Sequence, residues 1–191
     1  MRRRSVLLSA AASALTAAFA GDRTHAVAQE STPAALAEHP LTGTWLAMAN
    51  PPQPDDPQFP APSLFSADGT VLLVFPATQM SPQGVVFNAP VVGTWEADSK
   101  RRGHFTAVQL LSDVDGVFLG SVTIDGYPEV SEDGNTFIDD GSKAVATIRD
   151  ASGTIVQQAP AVGARAVTAV RMGVGSPGFL EGTPAAGTPA P

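Results

Sequence analysis

The stretch HFTAVQLLSDVDGVFLGSVTI, residues 104–124, holds two runs of apolar and β-branched residues divided by Asp115-Gly116. Asp-Gly between two such runs is a strong short-range hairpin signal, because the turn needs positive φ and glycine adopts it without steric cost. One strand ends near Leu111 and another begins at Val117. Successive side chains on a strand face opposite ways. Phe105, Ala107, Gln109 and Leu111 therefore share one face, Phe118, Gly120, Val122 and Ile124 share the matching face of the next strand, and both rows read as inward.

The same punctuation recurs along the chain, at Asp68-Gly69, Glu132-Asp133-Gly134, Asp139-Asp140-Gly141 and Ala151-Ser152-Gly153. Between the turns, runs rich in Val, Thr, Ile and Phe predict strands near 42–48, 62–67, 70–76, 90–98, 103–112, 116–125, 135–138, 143–149, 154–158 and 164–172. No stretch between them keeps a helical period. The fold class is all-β. Strands joined by short turns most economically form a meander, and one of about 8–10 strands eliminates its edges by closing, so a single antiparallel up-and-down β-barrel is expected.

The chain has two tryptophans, and both lie in Gly-Thr-Trp, at residues 43–45 and 93–95. A Gly-x-Trp on the first strand, a β-meander after it and an arginine on the last strand resemble the calycin group, the lipocalins and the related avidin-like barrels. Leu41-Thr42-Gly43-Thr44-Trp45 occupies the first place, and Arg165 and Arg171 both lie on the final predicted strand. The resemblance implies a structural role for Trp45, packed across the closed barrel end beneath the last-strand arginine. In a closed meander the last strand runs antiparallel to the first, which selects Arg171 over Arg165 as its partner. The second copy marks either a duplicated half-barrel or a barrel corner, where glycine lets the strand bend and Trp95 fills the core; the unequal spacing to the following Asp-Gly favours the corner.

The chain opens MRRRSVLLSAAASALTAAFAG, three arginines before a small-residue apolar run from Val6 to Ala20. This is the layout of an export signal, and the run is shorter than the roughly 20 apolar residues of a membrane span. The Arg3-Arg4 pair before a mildly apolar stretch resembles signals of the twin-arginine (Tat) route, with the general secretory route as the alternative. Cleavage sites compete after Ala20 and after Ala28, and the second is favoured because it removes the charged spacer. The expected organisation is a signal peptide over 1–28, a disordered linker over 29–40, the barrel over 41–172 and a disordered Gly/Pro/Ala/Thr tail over 173–191. Localisation would then be extracytoplasmic, secreted or associated with the cell wall or periplasm.

The chain carries a formal net charge of −7, and loss of residues 1–28 would take it to −10. That acidity disfavours nucleic acid and anionic membrane surfaces as partners. With no cysteine there is neither a disulfide nor a thiolate metal site.

Catalytic chemistry has little to draw on. Beyond the signal there are two histidines, His39 and His104, and one tyrosine, Tyr127. His39 reads as a solvated tail residue and His104 as a surface imidazole beside the basic turn 100–102. The acidic runs 113–116 and 131–141 lack the alternating carboxylates and terminal glutamate of a calcium loop and read as hairpin turns. No metal site, cofactor or catalytic set is expected, and the oligomeric state is left open. The leading expectation is a small apolar or amphipathic ligand inside the barrel, lined by Phe75, Phe87, Trp95, Phe105, Gln109 and Phe118, with Trp45 and Arg171 as the structural closure. The alternatives are a ligand-free extracytoplasmic structural or interaction domain and, less favoured, a small isomerase or cyclase using His104, Tyr127 or Asp125.

Overall fold

The computed structural model describes residues 33–51, 56–81, 84–160, 165–176 and 178, so residues 1–28, where a signal peptide is expected, and most of the expected tail lie outside the described residues. One short helix, α1 (Pro33–Ala37), precedes strands β1 (Gly43–Ala49), β2 (Phe59–Phe65), β3 (Thr70–Leu73), β4 (Thr78–Ser81), β5 (Gly84–Asn88), β6 (Val91–Ala97) and β7 (Gly103–Ser112). There follow β8 (Phe118–Gly126), β9 (Glu129–Val130), β10 (Thr136–Asp139), β11 (Val145–Asp150), β12 (Ile155–Pro160) and β13 (Val167–Arg171). All pairings are antiparallel, and the strands form one sheet curled into a half-barrel.

The pairing explains why the barrel is half formed. With the hairpins β4–β5 and β11–β12 set aside, neighbours in sequence are neighbours in space, and the first strand pairs with the last. β8 and β9 keep one register along β7, Phe105 opposite Gly126 and Arg102 opposite Glu129. β9 then pairs with β10 and β10 with β13, which carries hydrogen bonding round to β1 at the Trp45 end. Asp139 pins this corner, its buried carboxylate accepting the backbone N–H of Tyr127 (2.7 Å) and of Gly141 (3.0 Å). At the other end the ring cannot close. β7 and β8 run ten and nine residues, whereas β9, β10 and β13 run two, four and five. The upper length of β8 therefore takes β11 and β12 as partners. Sequence reading missed β4, β5 and β9: the first two form a separate hairpin, and β9 is a two-residue continuation of β8 beyond Pro128.

The closed end is filled by rings. Trp45 is fully buried and meets Phe137 edge-on at 5.1 Å, while Phe65 meets Phe137, Trp95 and Phe105 at 6.3, 5.8 and 5.8 Å. Leu36 and Leu41 are buried against this cluster. Within the segment 29–40 expected as a disordered linker, residues 33–40 are described, and Leu36 sits in the core. His39 is buried too, its ring 5.5 Å from that of Trp95. Leu41 N–H donates to His39 Nδ1 (3.1 Å), which leaves Nε2 to donate to the Ser99 carbonyl (3.0 Å).

The acidic runs act as turns. Asp113 Oδ1 accepts the backbone N–H of Asp115 and Val117 at 2.9 and 2.8 Å, and Asp68 and Asp150 accept Thr70 N–H and Thr154 N–H in the same way. Hydroxyl donation from Ser66, Ser131, Ser142 and Ser152, reinforced by these N–H groups, holds the carboxyls of Asp68, Asp133, Asp140 and Asp150 below the usual range. A carboxyl depressed in the folded state adds stability above its unfolded value of about 3.9 and loses it as pH falls through the folded value. These turns should contribute no pH dependence to the melting temperature between pH 7 and 5, and a decline below about pH 4. Asp68→Asn with Asp133→Asn should flatten that decline in melting curves; an unchanged slope would mean these turns do not govern acid stability.

Candidate functional site

The residues expected to line a ligand cavity separate into three groups. Trp95 is buried, its indole N–H donating to the Ser66 carbonyl (2.8 Å), and Phe105 lies beside it around Phe65. Their rings occupy the barrel interior at the closed end. Gln109 is buried farther along β7 and donates to the Ala89 carbonyl (3.3 Å), bonding a neighbouring segment. Phe75 is half-buried against Phe59, ring to ring at 5.4 Å. Phe87 and Phe118 stand on either side of Ser112 at the open end and are 42% and 45% exposed. Alternation assigned the β7 row inward as found, Ala107 and Gln109 buried and Val108 and Leu110 exposed. It could not show that aromatic rings fill the space between the inward rows.

Trp45 and Arg171 face each other in the β1–β13 register, and the guanidinium carbon lies 4.1 Å from the indole centroid. Arg171 also donates to the carbonyls of Gly134 (2.7 Å), Thr42 (3.0 Å) and Pro40, and Trp45 donates to the Leu41 carbonyl (2.8 Å). Burial pushes the guanidinium down from its ordinary value. Arg165 lies elsewhere, bonded to the Asp56 carbonyl.

A depression of about 760 Å³ lies on the outside of the sheet, over β1, β13, β10 and β9. Two rungs build its floor, Leu46–Val170–Thr136 and Met48–Thr168–Ile138. These residues alternate with the inward Trp45, Ala47, Ala169 and Phe137. Glu129 continues the second rung, Arg101 stands beside it, and Gly178 closes one end against the Leu46 side chain. Leu46 is buried although it points outward, and Gly178, from the segment 173–191 expected as a disordered tail, lies against it. A signal for this groove stands in the sequence, since TWLAMA is apolar at consecutive positions and a strand with one solvated face should alternate.

A third cluster lies on the outer face of β6, β7 and β8. His104 Nδ1 and Nε2 meet Glu96 Oε1 (3.3 Å) and Asp125 Oδ1 (2.8 Å), and the ring stacks on Tyr127 at 4.4 Å and 6°. Thr106 donates to the same Asp125 oxygen (2.7 Å), and Lys143 Nζ sits 5.3 Å from the Tyr127 ring centroid. Burial, reinforced by Asp125, Asp98 and Glu96, pushes the Tyr127 phenol up from its ordinary value. Both imidazole nitrogens already face carboxylates. The neighbouring depression, about 450 Å³, is lined by Asp68, Thr94, Glu96, His104 and Thr106 among others. The arrangement is a hydrogen-bonded patch between strands, and among the described residues no group of His, Asp or Glu is set to hold a metal.

The fold and site together define the class as an all-β protein with an antiparallel half-barrel and an outer apolar groove. No protein-family model, curated protein or solved structure matches the chain.

Proposed function

We propose that the chain is an exported binding protein for a small apolar or amphipathic molecule, and that the groove over β1, β13 and β10 is its site. The observation that carries this reading is the groove itself. Its volume of about 760 Å³ falls within the range of small-molecule sites, about 300–1,000 Å³, and Leu46, Met48, Ile138 and Val170 supply apolar walls with a few hydroxyls among them. A surface strand normally shows water a polar face, so Leu46, Val170, Met48 and Ile138 standing together on two adjacent rungs form an apolar patch of the kind that marks a binding surface.

The neutral reporter N-phenyl-1-naphthylamine should bind saturably and brighten. Met48→Gln combined with Ile138→Gln should weaken that binding about tenfold or more with little change in melting temperature, because both side chains are partly exposed. A titration without saturation, or one insensitive to the double variant, would remove the groove as the site.

Export rests on the Arg3-Arg4 pair and the apolar run behind it. Replacing both arginines with lysine should leave precursor inside the cell. Normal accumulation of mature protein outside would assign export to the general secretory route.

A second reading, an extracytoplasmic interaction domain, draws on the outer face of β6 and β7. There Val92 and Val108 face each other 53% and 40% exposed, with Leu110 beyond them at 52%.

A further inference from the structure

We infer that the groove selects amphiphiles with a cationic head over those with an anionic one, an inference that rests on the groove being the binding site. The reason is the charge at its rim. Arg101 is the cation among the lining residues, and it is already shared between two carboxylates, Glu129 (3.4 Å from Nη2) and Glu132 (3.8 Å from Nη1). A third acid stands close behind. The Ser131 hydroxyl, on the groove wall, donates to Asp133 Oδ1 (2.5 Å) and so offers no free proton to an incoming anion.

Arg171, the cation on β13, lies on the opposite face over Trp45 and spends its donors on three backbone carbonyls. Glu129 and Glu132 are 46% and 94% exposed at the side chain, so both can turn toward a ligand head without breaking the core. A carboxylate or sulfate head lying over Met48 and Ile138 would meet net negative charge with no unshared cation to receive it. An ammonium head would meet Glu129 at the end of the same rung that holds the apolar tail. The chain's overall charge of −7 adds to the bias at long range.

Three probes below their micelle concentrations decide the matter on the full protein: dodecyltrimethylammonium, dodecanoate and neutral N-phenyl-1-naphthylamine, the first two measured by displacement of the third. At low ionic strength the ammonium should bind about tenfold more tightly than dodecanoate, and the gap should close as salt screens the rim. Glu129→Gln with Glu132→Gln should abolish the preference, with the affinities of ammonium and dodecanoate each taken relative to the neutral reporter's own affinity for the same variant. Equal affinities, or a preference for dodecanoate with the reporter still bound, would overturn the inference and leave the binding reading standing. A preference unchanged in the double variant would trace it to general acidity and overturn the inference equally. If the neutral reporter does not bind either, the binding reading falls and takes this inference with it.

Discussion

Trp45→Ala should destabilise the protein by about 3–5 kcal/mol, the cost of removing a fully buried indole from a close-packed ring cluster. Arg171→Ala should cost less, and its coupling to Trp45 can be calculated from its contacts. The guanidinium over the indole is worth about 0.5–2 kcal/mol, and a double-mutant cycle should return a coupling of that size. The remainder should persist in the Trp45→Ala background, because the bonds to the Gly134, Thr42 and Pro40 carbonyls do not involve the ring. Arg165→Ala should be additive with Trp45→Ala, since Arg165 reaches the Asp56 carbonyl instead. Denaturant melts of the variants give these numbers. Strong coupling to Arg165 with none to Arg171 would refute the β1–β13 register.

Gly93→Ala should cost about 3 kcal/mol, the upper part of the range for an overpacked core. A methyl at Gly93 would lie 2.0 Å from the Thr106 carbonyl oxygen and 2.5 Å from Ala107 Cα, both backbone atoms of the paired strand β7, so relief requires β6 and β7 to separate. Gly43→Ala meets a different obstacle. Its Cβ would lie 2.6 Å from Arg171 Nη1, a side-chain atom, but Gly43 sits at φ 134°, where an L residue is strained. Pairing Gly43→Ala with Arg171→Ala should relieve the contact and leave the strain, whereas no side-chain deletion should rescue Gly93→Ala. Rescue of Gly93→Ala by such a deletion, followed by melting temperature, would show that the strands tolerate the methyl.

These two glycines account for the repeated Gly-Thr-Trp without duplication as a necessary cause. In the first copy, glycine leaves room for the arginine that covers its tryptophan. In the second, it lets two strands approach while Trp95 reaches in beside Phe65 and bonds the Ser66 carbonyl. Both tryptophans lie in the same ring cluster, and both indole N–H groups end on a carbonyl, as buried donors must.

The antiparallel all-β fold was legible in the residues for a local reason. Asp-Gly turns and alternating apolar runs act over a few residues, so 104–124 alone announced β7, its turn and β8, and the antiparallel rule placed Arg171 beside Trp45. What alternation cannot encode is how far each strand's partners extend. The lengths of β9, β10 and β13 against those of β7 and β8 decided that the ring closes at one end only.

The site depended on tertiary structure more strongly still. The sequence by itself determined an antiparallel all-β chain and the inward face of β7, because each follows from side-chain period and turn chemistry, while the tryptophan–arginine pair came from the resemblance to the calycin group and strand direction only chose Arg171 over Arg165. Only the tertiary structure decided that Phe65 and Phe137 join Trp95 and Phe105 in one interior ring cluster, that His39 is buried, and that the open apolar surface is the outer face of β1, β13 and β10. The physical reason is that a ring's volume is claimed by neighbours far along the chain. Whether an apolar residue ends up in a core, in a groove or in water is a property of packing that no single strand carries.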